Sequence, residues 1–244
     1  MAFLSIYAAR LGATGWQISL LTAGPAVVNL LFFLPAGRWL AGKALIPTVT
    51  VTAALQRSSY LAFAVLPWFL GENQQIWAVV LVVLLTSVPQ TVLAISFNAL
   101  FAEIVPAEAR SEVLGRRNAL MAISMTVATL LCGWLLDRIA FPLNYQIVFG
   151  IGAFGAALST YHVGRLQLAG QEAGMTSASA VPSSPGKRLL RLDLLRGYFG
   201  SLLLAYLIFY TFQYVPLSLF PLAFVNLLKL TDGQISLGSA LFYG

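Results

Sequence analysis

Hydrophobic and polar positions separate along this chain into long apolar runs divided by short polar clusters. Residues 18–37, 76–98, 120–136, 145–163 and 198–220 contain no Asp, Glu, Lys or Arg, and residues 48–70 match them apart from Arg57. These six runs are 17 to 23 residues long. About 20 residues of helix, rising 1.5 Å each, cross a hydrocarbon core of about 30 Å. At that length a lone segment satisfies its backbone groups internally only as a helix. The pattern therefore predicts an all-α polytopic membrane protein with six full transmembrane helices. Residues 1–11 and 235–244 are apolar but shorter, and predict two partial helices. With Arg10 at one surface, Met1 would lie about 15 Å deeper, and Gly244 reaches a similar depth. A charged terminus there is costly, so the chain is expected to be a piece of a longer protein.

The polar clusters set the organisation. The densest, FAEIVPAEARSEVLGRRN at 101–118, holds Glu103, Glu108, Arg110, Glu112, Arg116 and Arg117. It predicts a water-exposed turn between two spans. Pro106 fits the first turn of a short surface helix there, with Glu108 near its positive end. Residues 38–47 form a basic loop with Arg38 and Lys43, and 71–75 and 137–144 form polar turns. Residues 169–186 are small, polar and Pro-containing, which predicts a flexible linker. Residues 187–196, KRLLRLDLLR, predict a basic amphipathic stretch at the headgroup level. It reads as a lipid or partner site, or more simply as a basic flank. The expected division is 1–166 as an N-terminal bundle with an incomplete first helix, 167–197 as a linker, and 198–244 as the truncated start of a second bundle.

Composition agrees. Of 244 residues, 59% are hydrophobic and 9% charged, against about 25% charged in soluble domains. The net charge of +6 would raise nucleic acid as a partner in a soluble protein. Here a one-sided distribution of Lys and Arg accounts for it, and no nucleic-acid partner is expected. If 38–47, 99–119 and 164–197 share one side, that side holds ten of the 14 basic residues, the other side three, and Arg57 lies within the membrane. Ten against three places those loops in the cytoplasm and the protein in a cell membrane, plasma or inner. Cys132 and His162 are single in the sequence, so no disulfide, metal cluster or catalytic grouping is expected. A membrane enzyme would need more than Glu103, Glu108 and Glu112. No cofactor is expected, and the pattern sets no oligomeric state.

The order of spans around a long inner loop resembles the major facilitator superfamily of transporters, with two six-helix bundles. Leu11-Gly12-Ala13-Thr14 followed by Gln17-Ile18 resembles its outer turn between helices 1 and 2. Pro35-Ala36-Gly37-Arg38 resembles the start of its 2–3 loop signature. Pro106-Ala107-Glu108-Ala109-Arg110, with Gly115 and Arg117-Asn118-Ala119, resembles its 4–5 loop. The signature usually carries an Asp four residues after its Gly. Here that position is Ala41, and only Gly42-Lys43 remains of the basic cluster. Residues 126–133 also lack the Gly-Pro motif of many proton-coupled exporters.

Candidate chemistry lies inside the spans. Thr86, Gln90, Ala94 and Asn98 recur every four residues and so share a helical face. Tyr206, Tyr210, Gln213 and Tyr214 repeat the idea in the run 198–220. The resemblance makes these helices 4 and 7, which line the family's central cavity. Each stripe reads as cavity lining, or as hydrogen-bonding and interfacial residues of ordinary helix packing. Arg57 reads as a partner for an anionic group, or as a side chain that snorkels or pairs with a carbonyl. The resemblance sets its helix at the periphery, which favours the second. Asn29 reads as interhelical glue. The expected function is a secondary transporter of a small organic solute, working by alternating access and partnered by the bilayer. The other class the fold admits is a non-transporting receptor, scaffold or regulator.

Overall fold

The computed structural model describes residues 2–165 and 198–243, all helices and turns among the described residues. The expected linker, 167–197, lies outside them. The helices are α1 (Ala2–Arg10), α2 (Gly15–Leu40), α3 (Leu45–Phe69), α4 (Glu72–Ile104), α5 (Arg110–Arg138), α6 (Leu143–Gly164), α7 (Tyr198–Leu222) and α8 (Asp232–Tyr243). Six of them, α2 to α7, run 22 to 33 residues, and α2 to α6 have the length and composition to cross a membrane.

The helices outrun the apolar stretches, which corrects the expected loops. The loop 38–47 shrinks to 41–44, because Arg38–Leu40 end α2 and Leu45–Pro47 begin α3. Gly71 is the N-cap of α4, so 72–75 are helical rather than a turn. The loop 99–119 contracts to 105–109, with a single 3-10 turn at Ala107–Ala109, and residues 110–118 are the first turns of α5. A helix emerging into headgroups and water keeps its backbone bonds, and polar side chains there cost it nothing. Hydropathy marks where lipid ends, not where the helix ends.

Caps mark the true ends. α1 closes in a Schellman turn: Gly12 takes a φ of +85°, and the Ala13 N–H bonds the Ala8 carbonyl at 2.9 Å. Thr14 and Gln17 then form a capping box for α2, the Thr14 N–H donating to Gln17 Oε1 at 2.8 Å. The same device starts α8, where the Thr231 N–H donates to Gln234 Oε1 at 3.0 Å and the Gln234 N–H to Thr231 Oγ1 at 3.3 Å. Both boxes sit in the sequence T-x-x-Q-I-S-L, at 14–20 and 231–237.

The main core lies at the end of the bundle that carries Arg10, the Arg10 end. It gathers Tyr7, Ile18, Val79, Tyr145, Phe149 and Ile235, and α1 is buried along most of its length. A smaller core around Val49 and Leu100 lies toward the opposite, Arg110 end. Exposed Trp16, Trp68, Trp77 and Trp134 ring the Arg10 end. Trp39 and Tyr161, capped by Lys43 and Arg165, sit at the Arg110 end. This is the two-belt arrangement of a membrane protein.

Candidate functional site

α4 positions the first predicted stripe. Its face at the Arg10 end, through Ile76, Val79 and Val83, belongs to the same core as α1. Helical spacing continues that face into Gln90, seven residues beyond Val83. There the cover is gone: Gln90 is half-buried, and Ala94 and Asn98 are exposed. Thr86 turns its hydroxyl back onto the Val82 carbonyl at 2.7 Å, so it presents chiefly its methyl group. The flank of α4 toward α2 is tied down separately, by a short hydrogen bond from the Thr91 hydroxyl to Asn29 Oδ1. Asn29 is the interhelical bridge its mid-span position predicts.

α7 carries the second stripe. Residues 201–213 are exposed throughout. The Tyr206 and Tyr210 rings stack with centroids 6.0 Å apart, and Gln213 continues the row. The Tyr214 side chain lies outside the described residues. Among the described residues α4 and α7 are not one of the closely packed helix pairs.

The remaining predicted residues have structural partners or positions. Arg57 reaches across to α6, donating to Thr160 Oγ1 at 2.7 Å and to the Ala156 carbonyl at 3.3 Å. Thr160 lies one turn from the Arg110 end of α6, so the guanidinium leans toward that surface, as snorkelling requires. Arg110 donates to the Ala102 carbonyl at 2.7 Å and the Val105 carbonyl at 3.1 Å, closing the C-terminus of α4. Gly37 is exposed with open space where a Cβ would sit, and Arg38 is exposed in the last turn of α2.

The polar cluster that sequence reasoning missed is at the Arg10 end, between the two parts of the chain. Arg10 forms an ion pair with Asp232 at 3.0 Å and donates to the Leu230 carbonyl at 2.7 Å. Asp137, near the end of α5, accepts from the Gly233 N–H at 3.0 Å and the Thr231 hydroxyl at 3.1 Å, capping α8 from another helix. The fully buried Tyr145 hydroxyl lies beside Arg10 and Asp232. Below this cluster Gly133 meets Ser236 so closely that a Cβ would overlap it. Leu222, Phe224, Val225 and Leu230 complete the contact. The repeated T-x-x-Q motif was the available signal: it marks Thr231 and Asp232 as the start of a helix equivalent to α2. Among the described residues no His, Cys, Asp and Glu grouping could hold a metal ion.

The packing of residues 198–243 on residues 2–165 is thus concentrated at one end. Comparison with protein-family models matches residues 1–244 to the Major Facilitator Superfamily. Neither the curated proteins nor the solved structures searched contain a match.

Proposed function

The chain belongs to the major facilitator superfamily, and from that premise we propose that it moves a small organic solute by alternating access between the two ends of its helices. The family makes it a transporter of the major facilitator type and a multi-pass membrane protein. One observation carries the proposed mechanism: α7 and α8 meet the first bundle at the Arg10 end, while the Arg110 half of α7 is exposed. Helices that meet the first bundle at one end only match one of the two states that alternating access requires.

In this reading the α4 stripe (Thr86, Gln90, Asn98) and the α7 stripe (Tyr206, Tyr210, Gln213) are opposite walls of the solute path. They offer amides, hydroxyls and aromatic faces, but no fixed charge. That chemistry suits a neutral or amphipathic organic molecule. Arg57, tied to α6, stabilises the bundle rather than binding solute. Reconstitution of the full-length protein in proteoliposomes, with a panel of such solutes, is the test. Gln90→Ala and Tyr210→Phe should each raise KM several-fold, as the loss of a hydrogen bond of about 1 kcal/mol implies, with no loss of folded protein. Unchanged kinetics in both variants would remove this site.

The Arg110 end is assigned to the cytoplasm of a cell membrane on the ten-to-three count of basic residues. With Cys132 replaced, single cysteines at positions 110 and 178 should label from the same face. Labelling from opposite faces rejects the topology.

A further inference from the structure

We infer that the groove between α2 and α3 holds one acyl chain of an anionic phospholipid, with the lipid's phosphate at Lys43 and Arg38. The groove arises because α2 and α3 both pack on α4 but barely on each other. It has a volume of about 370 Å³ and is lined by Phe32, Ala36 and Trp39 of α2, Thr52 and Leu55 of α3, and Val92 of α4, among others. The lining is wholly apolar, since the Thr52 hydroxyl is turned onto the Thr48 carbonyl at 2.7 Å.

Its extent selects the occupant. Trp39 lies beside the end of α2, and Phe32 lies seven residues further in, about 10 Å. Leu55 lies ten residues in from the start of α3, about 15 Å. The groove therefore runs from headgroup level to about the middle of a 30 Å core, the depth of one leaflet. A transmembrane helix would need the full thickness, whereas a single acyl chain fills this half.

Charge fixes the headgroup. The Lys43 ammonium lies 5.4 Å from the Trp39 ring centre, at the mouth. Arg38, in the last turn of α2, adds a second cation at the same level. Residues 41–44 are Ala-Gly-Lys-Ala and contain no acid. Among the described residues neither Lys43 nor Arg38 pairs with a carboxylate. A phosphate at the mouth would meet Lys43, with Arg38 adding positive charge at the same level, and basic pockets between helices at this level select anionic lipid.

The test uses Trp39 as the only tryptophan, with exposed Trp16, Trp68, Trp77 and Trp134 replaced by phenylalanine, in bilayers of phosphatidylcholine. Phosphatidylglycerol brominated on its acyl chains, at a low mole fraction, should quench Trp39 several-fold more than equally brominated phosphatidylcholine. The preference should fall about fivefold for each cation removed in Arg38→Gln and Lys43→Gln, while quenching by bulk lipid persists. Ala36→Phe, which fills the groove, should abolish the preference with both cations in place. Equal quenching by the two lipids makes the groove ordinary boundary surface and overturns the proposal. So does an absence of quenching by either, which means protein covers the groove, or a preference that survives removal of both cations.

Discussion

Gly133→Ala will part the Arg10 ends of α5 and α8, and the thiol of Cys132 will then react at least about tenfold faster with a membrane-impermeant methanethiosulfonate. Gly133 is buried, and a methyl group there would overlap the Cβ of Ser236. Ser236 cannot swing aside: it is 1% exposed and its hydroxyl is held by the Asp232 carbonyl at 2.7 Å. The backbones must separate instead. Overpacking of this kind costs about 1 to 3 kcal/mol, and coupling energies of that size shift an equilibrium by roughly 5- to 150-fold. Cys132, next in sequence and half-buried against the same core, reports the opening without an added cysteine. Gly133→Ala with Ser236→Gly should restore the slow rate. An unchanged labelling rate in Gly133→Ala, with helicity intact, shows that this contact does not hold the ends together.

Arg10→Gln will weaken the same closure through charge. The pair is asymmetric: the Asp232 side chain is 9% exposed and that of Arg10 28%. Removing the cation strands a buried carboxylate and frees the Leu230 carbonyl. Truncating one partner of a fully buried pair costs about 3 to 5 kcal/mol. Because Arg10 is partly solvated, about 2 kcal/mol is expected here, a shift of roughly 30-fold toward the parted state. Cys132 labelling measures it, and thermal melting gives the stability change. Asp232→Asn added to Arg10→Gln should recover part of the loss, because no uncompensated charge then remains. Additive effects of the two substitutions would mean that the ion pair is not a coupled unit.

How much of this was legible beforehand follows from which solvent selects each feature. Lipid forbids charge, so the charge-free runs gave the spans directly. Water tolerates helix, so the ends did not show: 110–118 reads as a turn because it is charged, yet it is the base of α5. Asn29 was legible as glue because a mid-span amide needs a partner. The partner of Arg57 was not, since Thr160 is 103 residues away and hydroxyls are common in such spans. Arg10 and Asp232, separated by 222 residues, sit beside runs too short to span, where no periodicity draws attention to them. The Gly133–Ser236 contact depends on two small residues whose closeness only packing reveals.

The two T-x-x-Q-I-S-L starts carry a historical meaning. Five identities in seven positions, with the same cap at the start of a helix in each of two parts of one chain, point to a repeated unit. The copy at 14–20 keeps the turn in its plain form, with Gly15 and Trp16 between Thr and Gln. The copy at 231–237 places Asp232 and Gly233 there, and those two residues supply the acid for Arg10 and the backbone N–H for Asp137. The two turns share a cap, and the difference between their middle residues is what makes one of them a clasp.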